Sequence, residues 1–241
     1  MTEIATLKKW IEESNNIVFF GGAGVSTESG IPDFRSVDGL YFQKWDYPPE
    51  TILSHSFFEA NTKEFYRFYK EKMLCLDVLP NTAHYVLSEL EKKGKLQAII
   101  TQNIDGLHQK AGSKCVFELH GSVHRNYCVS CGKFFPAEYI VQSTDEVPRC
   151  DSCGKVVKPD VVLYEEPLNN EVIENAIEAI LKADTLIIGG TSLTVYPAAG
   201  FIDYFRGRNL VLLNKSETPA DKKASLVIRE PIGKILGSLV L

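Results

Sequence analysis

Ile17-Val18-Phe19-Phe20-Gly21-Gly22-Ala23-Gly24-Val25-Ser26-Thr27 is the stretch that decides the fold. Four consecutive apolar residues suit a central parallel strand, because helices cover both of its faces. Before it, apolar residues at Ile4, Leu7, Trp10 and Ile11 have helical spacing. Helix, buried strand and glycine-rich turn together read as the opening of a dinucleotide-binding unit. In such a unit the glycines let backbone approach a pyrophosphate, and the N–H groups of the next helix bind its charge. The usual fingerprint is incomplete here. Thr27 stands where a third glycine is expected, and no acidic residue ends a second strand about twenty positions on.

Outward from this turn lies Gly30-Ile31-Pro32-Asp33-Phe34-Arg35, in which glycine and proline exclude a long regular helix. Phe34 between an acid and a base is either a lid residue or part of a capped turn with a surface ion pair. Residues 36–80 are rich in aromatics, and Phe57 to Met73 has helical spacing. That segment reads as a small helical insertion whose aromatic stripe forms its own core. A helix capped by Asn81 or Thr82 follows and stops at Gly94.

The apolar run Leu96 to Ile100 is a second buried strand, and it ends in Thr101-Gln102-Asn103-Ile104-Asp105-Gly106-Leu107-His108. Polar groups at the C-terminal end of a buried parallel strand are where open α/β sheets keep their ligands. The strand Val116 to Leu119 ends at His120-Gly121, which directs the imidazole toward the same crevice. His120 is either a general base or a structural histidine bonded to a carbonyl. Further buried strands at Thr185 to Ile188, Asn209 to Leu213 and Ser225 to Ile228 also end in small or polar residues, as in Gly189-Gly190-Thr191-Ser192 and Asn214-Lys215. An amphipathic helix spans Glu171 to Leu181, and a terminal helix follows Pro231-Ile232-Gly233. The pattern is that of a doubly wound sheet lining a nucleotide site along one edge.

Cys128-x2-Cys131 and Cys150-x2-Cys153 form two knuckles, each with a glycine (Gly132, Gly154) after its second cysteine. Four thiolates suit tetrahedral Zn²⁺, and a closed four-cysteine site is structural rather than catalytic. Disulfides are the alternative reading of the same residues. The 241 residues, 44% hydrophobic and 24% charged, have ordinary globular composition and suffice for one large core plus a small appended module. A net charge of −5 argues against a general nucleic-acid-binding surface. No apolar run reaches bilayer-spanning length and no signal peptide is evident, so a cytoplasmic enzyme is the expectation.

Taken together these motifs resemble the sirtuin family of NAD-dependent protein lysine deacylases, specifically its bacterial members. Gly22-Ala23-Gly24-Val25-Ser26, Gly30 to Arg35, Thr101 to Asp105, His120-Gly121, the cysteine pairs and Gly190-Thr191-Ser192 occur in the family's order, and the likeness runs from about Leu7 to Leu236. The resemblance implies an α/β fold: a Rossmann-type, doubly wound parallel sheet with a smaller domain made of a helical insertion and a four-cysteine zinc module. The expected division is residues 1–34, 76–122 and 157–241 for the NAD-binding domain. Residues 35–75 would be the helical insertion and 123–156 the zinc module.

By the same resemblance NAD is a co-substrate and one structural Zn²⁺ is bound by Cys128, Cys131, Cys150 and Cys153. Gly22, Ala23, Gly24, Ser26, Thr27, Asp33, Phe34, Arg35, Gln102 and His120 would line the NAD site. Asn103, Ile104 and Asp105 would form its nicotinamide pocket. Gly190, Thr191, Ser192, Asn214, Lys215 and Ile232 would hold the phosphate and adenosine end. His120 is expected to act as general base and, with Asn103, to carry catalysis. The products would be nicotinamide, deacylated lysine and 2′-O-acyl-ADP-ribose, which makes the enzyme an acyltransferase.

Acetylated-lysine proteins or peptides are the expected partners, with no membrane and no direct nucleic-acid binding. The peptide would add as a strand along Val162, Leu163, Tyr164 and Glu165, opposite Val195. Glu165 stands where the family usually has glycine. Its side chain would crowd the peptide, favour basic flanking residues, or point to solvent. Members that remove succinyl groups carry Tyr-x-x-Arg, whereas this chain has Tyr66-Arg67-Phe68-Tyr69; acetyl and longer apolar acyl groups are therefore expected. A mono-ADP-ribosyltransferase using the same site, or an NAD-sensing zinc-ribbon module without turnover, are the competing readings.

Overall fold

A computed structural model describes residues 2–34, 39–42 and 44–239. The amphipathic stretch at the start is helix α1 (Glu3–Glu13), and the Thr2 hydroxyl caps it by accepting from the Ala5 N–H. Strand β1 (Ile17–Gly21) is buried along its whole length, as its unbroken apolar run requires. On one side it pairs with β2 (Leu96–Thr101), which pairs with β3 (Val116–Glu118). On the other it pairs with β7 (Thr185–Gly189), which continues to β8 (Asn209–Leu213) and β9 (Leu226–Ile228). All five pairings are parallel, giving the order β3-β2-β1-β7-β8-β9.

Alternate side chains of these strands feed two cores. Phe19, Ile99, Ile187 and Val211 pack with Leu7 and Ile11 of α1, with Leu87 and Leu90 of α5 (Thr82–Lys92), and with Ile235 and Leu236 of α9 (Ile232–Gly237). Phe20, Ile100, Ile188 and Leu212 pack on the other face with Ala176 and Ile180 of α8 (Asn170–Lys182). The chain therefore winds to both sides of β1. The crevice opens between the carboxyl ends of β1 and β7, where the strand order reverses.

Helix α5 starts with a full capping box. The Asn81 side chain accepts from the Ala83 N–H at 2.9 Å, and His84 Nδ1 accepts from the Asn81 N–H at 3.2 Å. The helical spacing of Phe57 to Met73 resolves into α3 (His55–Ala60), α4 (Thr62–Phe68) and a π-helical turn, Tyr69–Met73, after the short α2 (Pro49–Ile52). Asn61 breaks the expected single helix by adopting φ −133° and ψ 46°.

Strand β4 (Gly121–Cys128) pairs antiparallel with β5 (Phe134–Pro136) and with β6 (Val157–Val161) to make a second, three-stranded sheet. This sheet carries the cysteine knuckles and overlaps both residue boundaries expected for the zinc module. Phe65, Tyr66, Phe68 and Tyr69 share one apolar core with Cys128, Phe135, Ile140 and Cys150, so the helical insertion and the cysteine module fold against each other. The Tyr66 hydroxyl donates across that junction to the Val157 carbonyl. Among the described residues no helix is long and apolar enough to cross a membrane.

Candidate active site

The glycine turn after β1 behaves differently from the expected phosphate cradle. Two short 3-10 turns, Ala23–Val25 and Thr27–Ser29, follow it instead of a helix, so the anticipated helix N-terminus is absent there. The N–H of Gly22 donates to Gly189 O at 3.3 Å and that of Gly24 to Gly190 O at 2.8 Å. A Cβ on Gly24 would lie 2.9 Å from Gly190 Cα. These glycines let the turns after β1 and β7 pack backbone on backbone. Gly190 itself sits at φ +59°, and a Cβ there would stand 2.4 Å from Val25 N.

The end of β2 supplies a connected polar set. Asn103 is buried and its Nδ2 donates to Ser26 Oγ at 3.1 Å; Ser26 Oγ donates to Asp105 Oδ2 at 2.6 Å. Asp105 Oδ1 accepts from the Leu107 N–H at 2.9 Å. Gln102 Nε2 donates to Thr191 Oγ1 at 3.0 Å and thus joins β2 to the β7 turn. Ser26, Asn103, Asp105, Gln102 and Thr191 therefore converge on the crevice although they come from three separate loops. Ile104 is partly buried against the core of the small module, and its carbonyl accepts from the Val123 N–H at 3.0 Å. Thr27 Oγ1 donates to Gly24 O at 3.0 Å beside the partly exposed Ala23.

His120 is oriented unambiguously. Its Nδ1 lies 2.9 Å from the Gln102 carbonyl oxygen, which only accepts, so Nδ1 carries the proton and Nε2 is the basic nitrogen. Burial pushes the imidazole pKa down from its usual value, and the bond to the Gln102 carbonyl partly opposes this. The position is set by Gly121, at φ +75°, where a Cβ would stand 1.9 Å from Asp160 O. Only glycine lets β6 approach this closely and lets Val162 N donate to His120 O at 3.0 Å.

Other expected site residues are placed less directly. Phe34 packs edge-on to Tyr41 with ring centroids 5.7 Å apart, and the Asp33 carbonyl accepts from the Leu40 N–H at 2.9 Å. Arg35 lies outside the described residues. Ser192 Oγ is 2.8 Å from Thr194 Oγ1; Asn214 Nδ2 donates to Ser216 O at 2.9 Å, and Lys215 is exposed. The Ile232 side chain is buried in the core beneath Gly189, and the neighbouring Gly233 N donates to Glu28 Oε2 at 2.6 Å.

His108, the last residue of the polar stretch after β2, is buried between Phe19 and His84, with centroids 6.1 Å and 4.8 Å away. Burial pushes His108 down to about 3 and His84 down to about 4, so both are neutral.

Along the expected peptide edge, Val162 N, Leu163 N and Tyr164 N already donate to His120 O, Glu166 Oε2 and Leu53 O. The segment is thus a bonded turn, not a regular strand. Val195 is partly exposed across from it, and its carbonyl accepts from the Ala199 N–H at 2.9 Å. Glu165 adopts φ +77°, the backbone form that glycine takes most easily, and its exposed carboxylate is held at the surface by hydrogen bonds. It accepts from Ser56 N at 2.9 Å and Ser56 Oγ at 3.0 Å, at the start of α3.

The four cysteine ligand atoms lie within 4.8 Å of one another. Sγ pairs stand 3.4 Å (Cys128, Cys153) and 3.6 Å (Cys131, Cys150) apart, far beyond a disulfide bond. Thiolates bound tetrahedrally to zinc stand about 3.8 Å apart, so the donor set fits that ion. The N–H groups of Cys131 and Ser130 point at Cys128 Sγ at 3.5 Å and push that thiol down to about 6, favouring the ligating thiolate.

Comparison with known proteins agrees with this geometry. The profile of the Sir2 family matches residues 22–197. The NAD-dependent protein deacetylase of Clostridium acetobutylicum is 60% identical over 242 residues, covering 100% of this chain and 99% of that protein. The NAD-dependent protein deacetylase of Clostridium perfringens is 63% identical, covering 99% of this chain and 98% of its own length. Among solved structures, a Sir2 protein with a deacetylated p53 peptide and 3′-O-acetyl-ADP-ribose superposes with a TM-score of 0.91 at 38% identity, covering 98% of this chain and 96% of that one. Another, with p53 peptide and NAD⁺, has a TM-score of 0.88 at 40% identity, covering 99% and 97%. The chain belongs to the Sir2 family.

Proposed function

We propose that this protein is an NAD-dependent protein lysine deacetylase in which His120 is the general base. The observation that carries the reading is the pinned imidazole, whose Nδ1 is committed to the carbonyl of Gln102, the residue that precedes Asn103 of the Asn103–Ser26–Asp105 set, and whose Nε2 is left as the basic nitrogen. NAD supplies a cleavable bond to nicotinamide and a ribose whose hydroxyl accepts the acyl group. The residues of this chain bind and orient. Asp105, aligned by Ser26 and by the Leu107 N–H, would accept from the nicotinamide carboxamide, and Asn103 and Ile104 would complete that pocket. His120 Nε2 would take the proton of the attacking ribose hydroxyl, a role that typically contributes about 10²- to 10⁴-fold. Gln102, Thr191, Ser192 and Asn214 would hold the remaining ribose and phosphate groups, with Phe34 closing over the cofactor.

The acyl-lysine peptide would meet the carbonyl of Val162 and the backbone of Glu165, which have no partner among the described residues. Tyr69 is fully buried in the insertion, and burial pushes its phenol well above the usual value, so it stays neutral. It offers no cation to a dicarboxylic acyl group, which supports a preference for acetyl over succinyl. The cysteines, held as thiols at ligating distances, support one structural Zn²⁺ and a reducing, cytoplasmic setting. Nothing in the reading calls for nucleic acid.

Nicotinamide release from NAD, measured with and without an acetyl-lysine peptide, tests the proposal. Release that depends on the peptide is expected. Release without peptide, or none in either case, would overturn it.

A further inference from the structure

Residue Tyr41 closes the segment that contains Phe34. Leu40 N donates to Asp33 O at 2.9 Å, Tyr41 N donates to Phe34 O at 3.0 Å, and the two rings meet edge-on, so Phe34 and Tyr41 are held as a unit. Tyr164 belongs to the turn that follows β6. Its N–H donates to Leu53 O at 2.9 Å and its carbonyl accepts from His55 N at 3.0 Å. Its neighbours are anchored too: Glu165 on Ser56 and Glu166 on His55 Nδ1 at 2.8 Å, both in the same insertion, with Glu166 also accepting from Lys158 Nζ of β6 at 3.1 Å. A side-chain contact spans these two units. The hydroxyls of Tyr41 and Tyr164 are 2.7 Å apart, a hydrogen bond between residues 123 positions apart in the chain.

We propose that the Tyr41–Tyr164 hydroxyl pair is a positioning device that couples the cofactor-facing segment to the peptide-binding turn, so that either substrate strengthens the binding of the other. This rests on the reading that NAD lies against Phe34 and the peptide against Val162 to Glu165. A peptide seated on that turn restrains Tyr164, and through the shared bond it favours the position of Tyr41 in which Phe34 faces the cofactor. Linkage makes the effect reciprocal. A single neutral hydrogen bond, partly open to water, carries about two- to tenfold in affinity. Neither hydroxyl is asked to touch a reacting atom, so these are positioning residues.

The test is calorimetric titration of ADP-ribose into the full-length protein, with and without a saturating acetyl-lysine peptide. The proteins compared are the wild type, Tyr41→Phe, Tyr164→Phe and the double variant. Phenylalanine keeps each ring and removes the hydroxyl that makes the bond. The peptide should tighten ADP-ribose about two- to tenfold in the wild type. Each single change should abolish most of that enhancement, and the double variant should lose no more than either single. The proposal is overturned if the wild type shows no enhancement or if either single variant keeps it. It is equally overturned if ADP-ribose weakens by the same factor with and without peptide, which would mark a purely structural role. Peptide-dependent nicotinamide release by the wild type separates the two levels: release without coupling sinks this inference alone, whereas no release sinks the deacetylase reading beneath it.

Discussion

Gly121→Ala tests how tightly the position of His120 depends on one missing side chain. A Cβ at residue 121 would stand 1.9 Å from Asp160 O and 2.9 Å from Asp160 C, both backbone atoms of the neighbouring strand. Strand β6 would have to retreat by about 1 Å to restore an ordinary contact. That movement breaks the bond from Val162 N to His120 O, worth about 0.5–1.5 kcal/mol. The left-handed backbone at φ +75° adds about 1–2 kcal/mol for any residue with a Cβ. The sum, about 1.5–3.5 kcal/mol, should lower Tm by roughly 3–14 °C in a chain of this size.

Turnover should suffer as well, because a 1 Å misplacement of a catalytic group costs up to about 10²-fold. Gly94→Ala is the control. Its φ of +71° is nearly the same, but nothing lies within 4 Å of the added Cβ, so it should show only the backbone strain, about 1–2 kcal/mol, and retain activity. Thermal unfolding together with kcat for peptide-dependent nicotinamide release reads both variants. Equal Tm losses in the two, with kcat unchanged in Gly121→Ala, would refute the argument.

His120→Ala should lose about 10²-fold or more in kcat while its Tm stays near wild type; full activity would remove the base assignment. Because burial lowers the His120 pKa, its neutral form persists below pH 6.5, and the acid limb of the rate profile should fall below that value; a limb centred above 6.5 would contradict the geometry. The buried pair His84 and His108 makes a separate prediction about acid stability. Their folded values, about 4 and about 3, lie below the unfolded 6.5, so the unfolded chain binds more protons as pH falls. Stability that is complete above pH 6.5 should therefore drop by about 2 kcal/mol per histidine between pH 7 and pH 5, and denaturation midpoints that are flat over that interval would count against it. Cys131→Ser should reduce bound zinc well below one per chain and lower the thermal stability of the cysteine module together with the helical insertion, since both share one core; full zinc retention by metal analysis would disprove its role as a ligand.

The elements that were legible in the sequence are those with local causes. The strand at Ile17 follows from four apolar residues in a row, the start of α5 from Asn81, and the metal site from two Cys-x-x-Cys knuckles, because each rests on residues within one turn or strand. The crevice was legible as a row of strand ends, since parallel strands leave their carboxyl ends together. The roles carried over onto Asn103, Asp105 and His120 needed the family resemblance, and their convergence with Ser26 became visible only in three dimensions.

What tertiary structure alone decided came from contacts between segments far apart in the chain. Gly22, Gly24 and Gly190 are also required by the packing of two turns, because the atoms that exclude a side chain belong to the opposite loop. The Ile232 side chain fills the core under Gly189, a contact between segments more than forty residues apart. The Glu165 carboxylate ends on Ser56, and the Tyr41 hydroxyl on Tyr164, through bonds that bridge 109 and 123 residues. Patterns of hydrophobicity and turn residues report which local structure a segment adopts. They carry no information on which polar group it will meet once the sheet has brought distant loops to one edge.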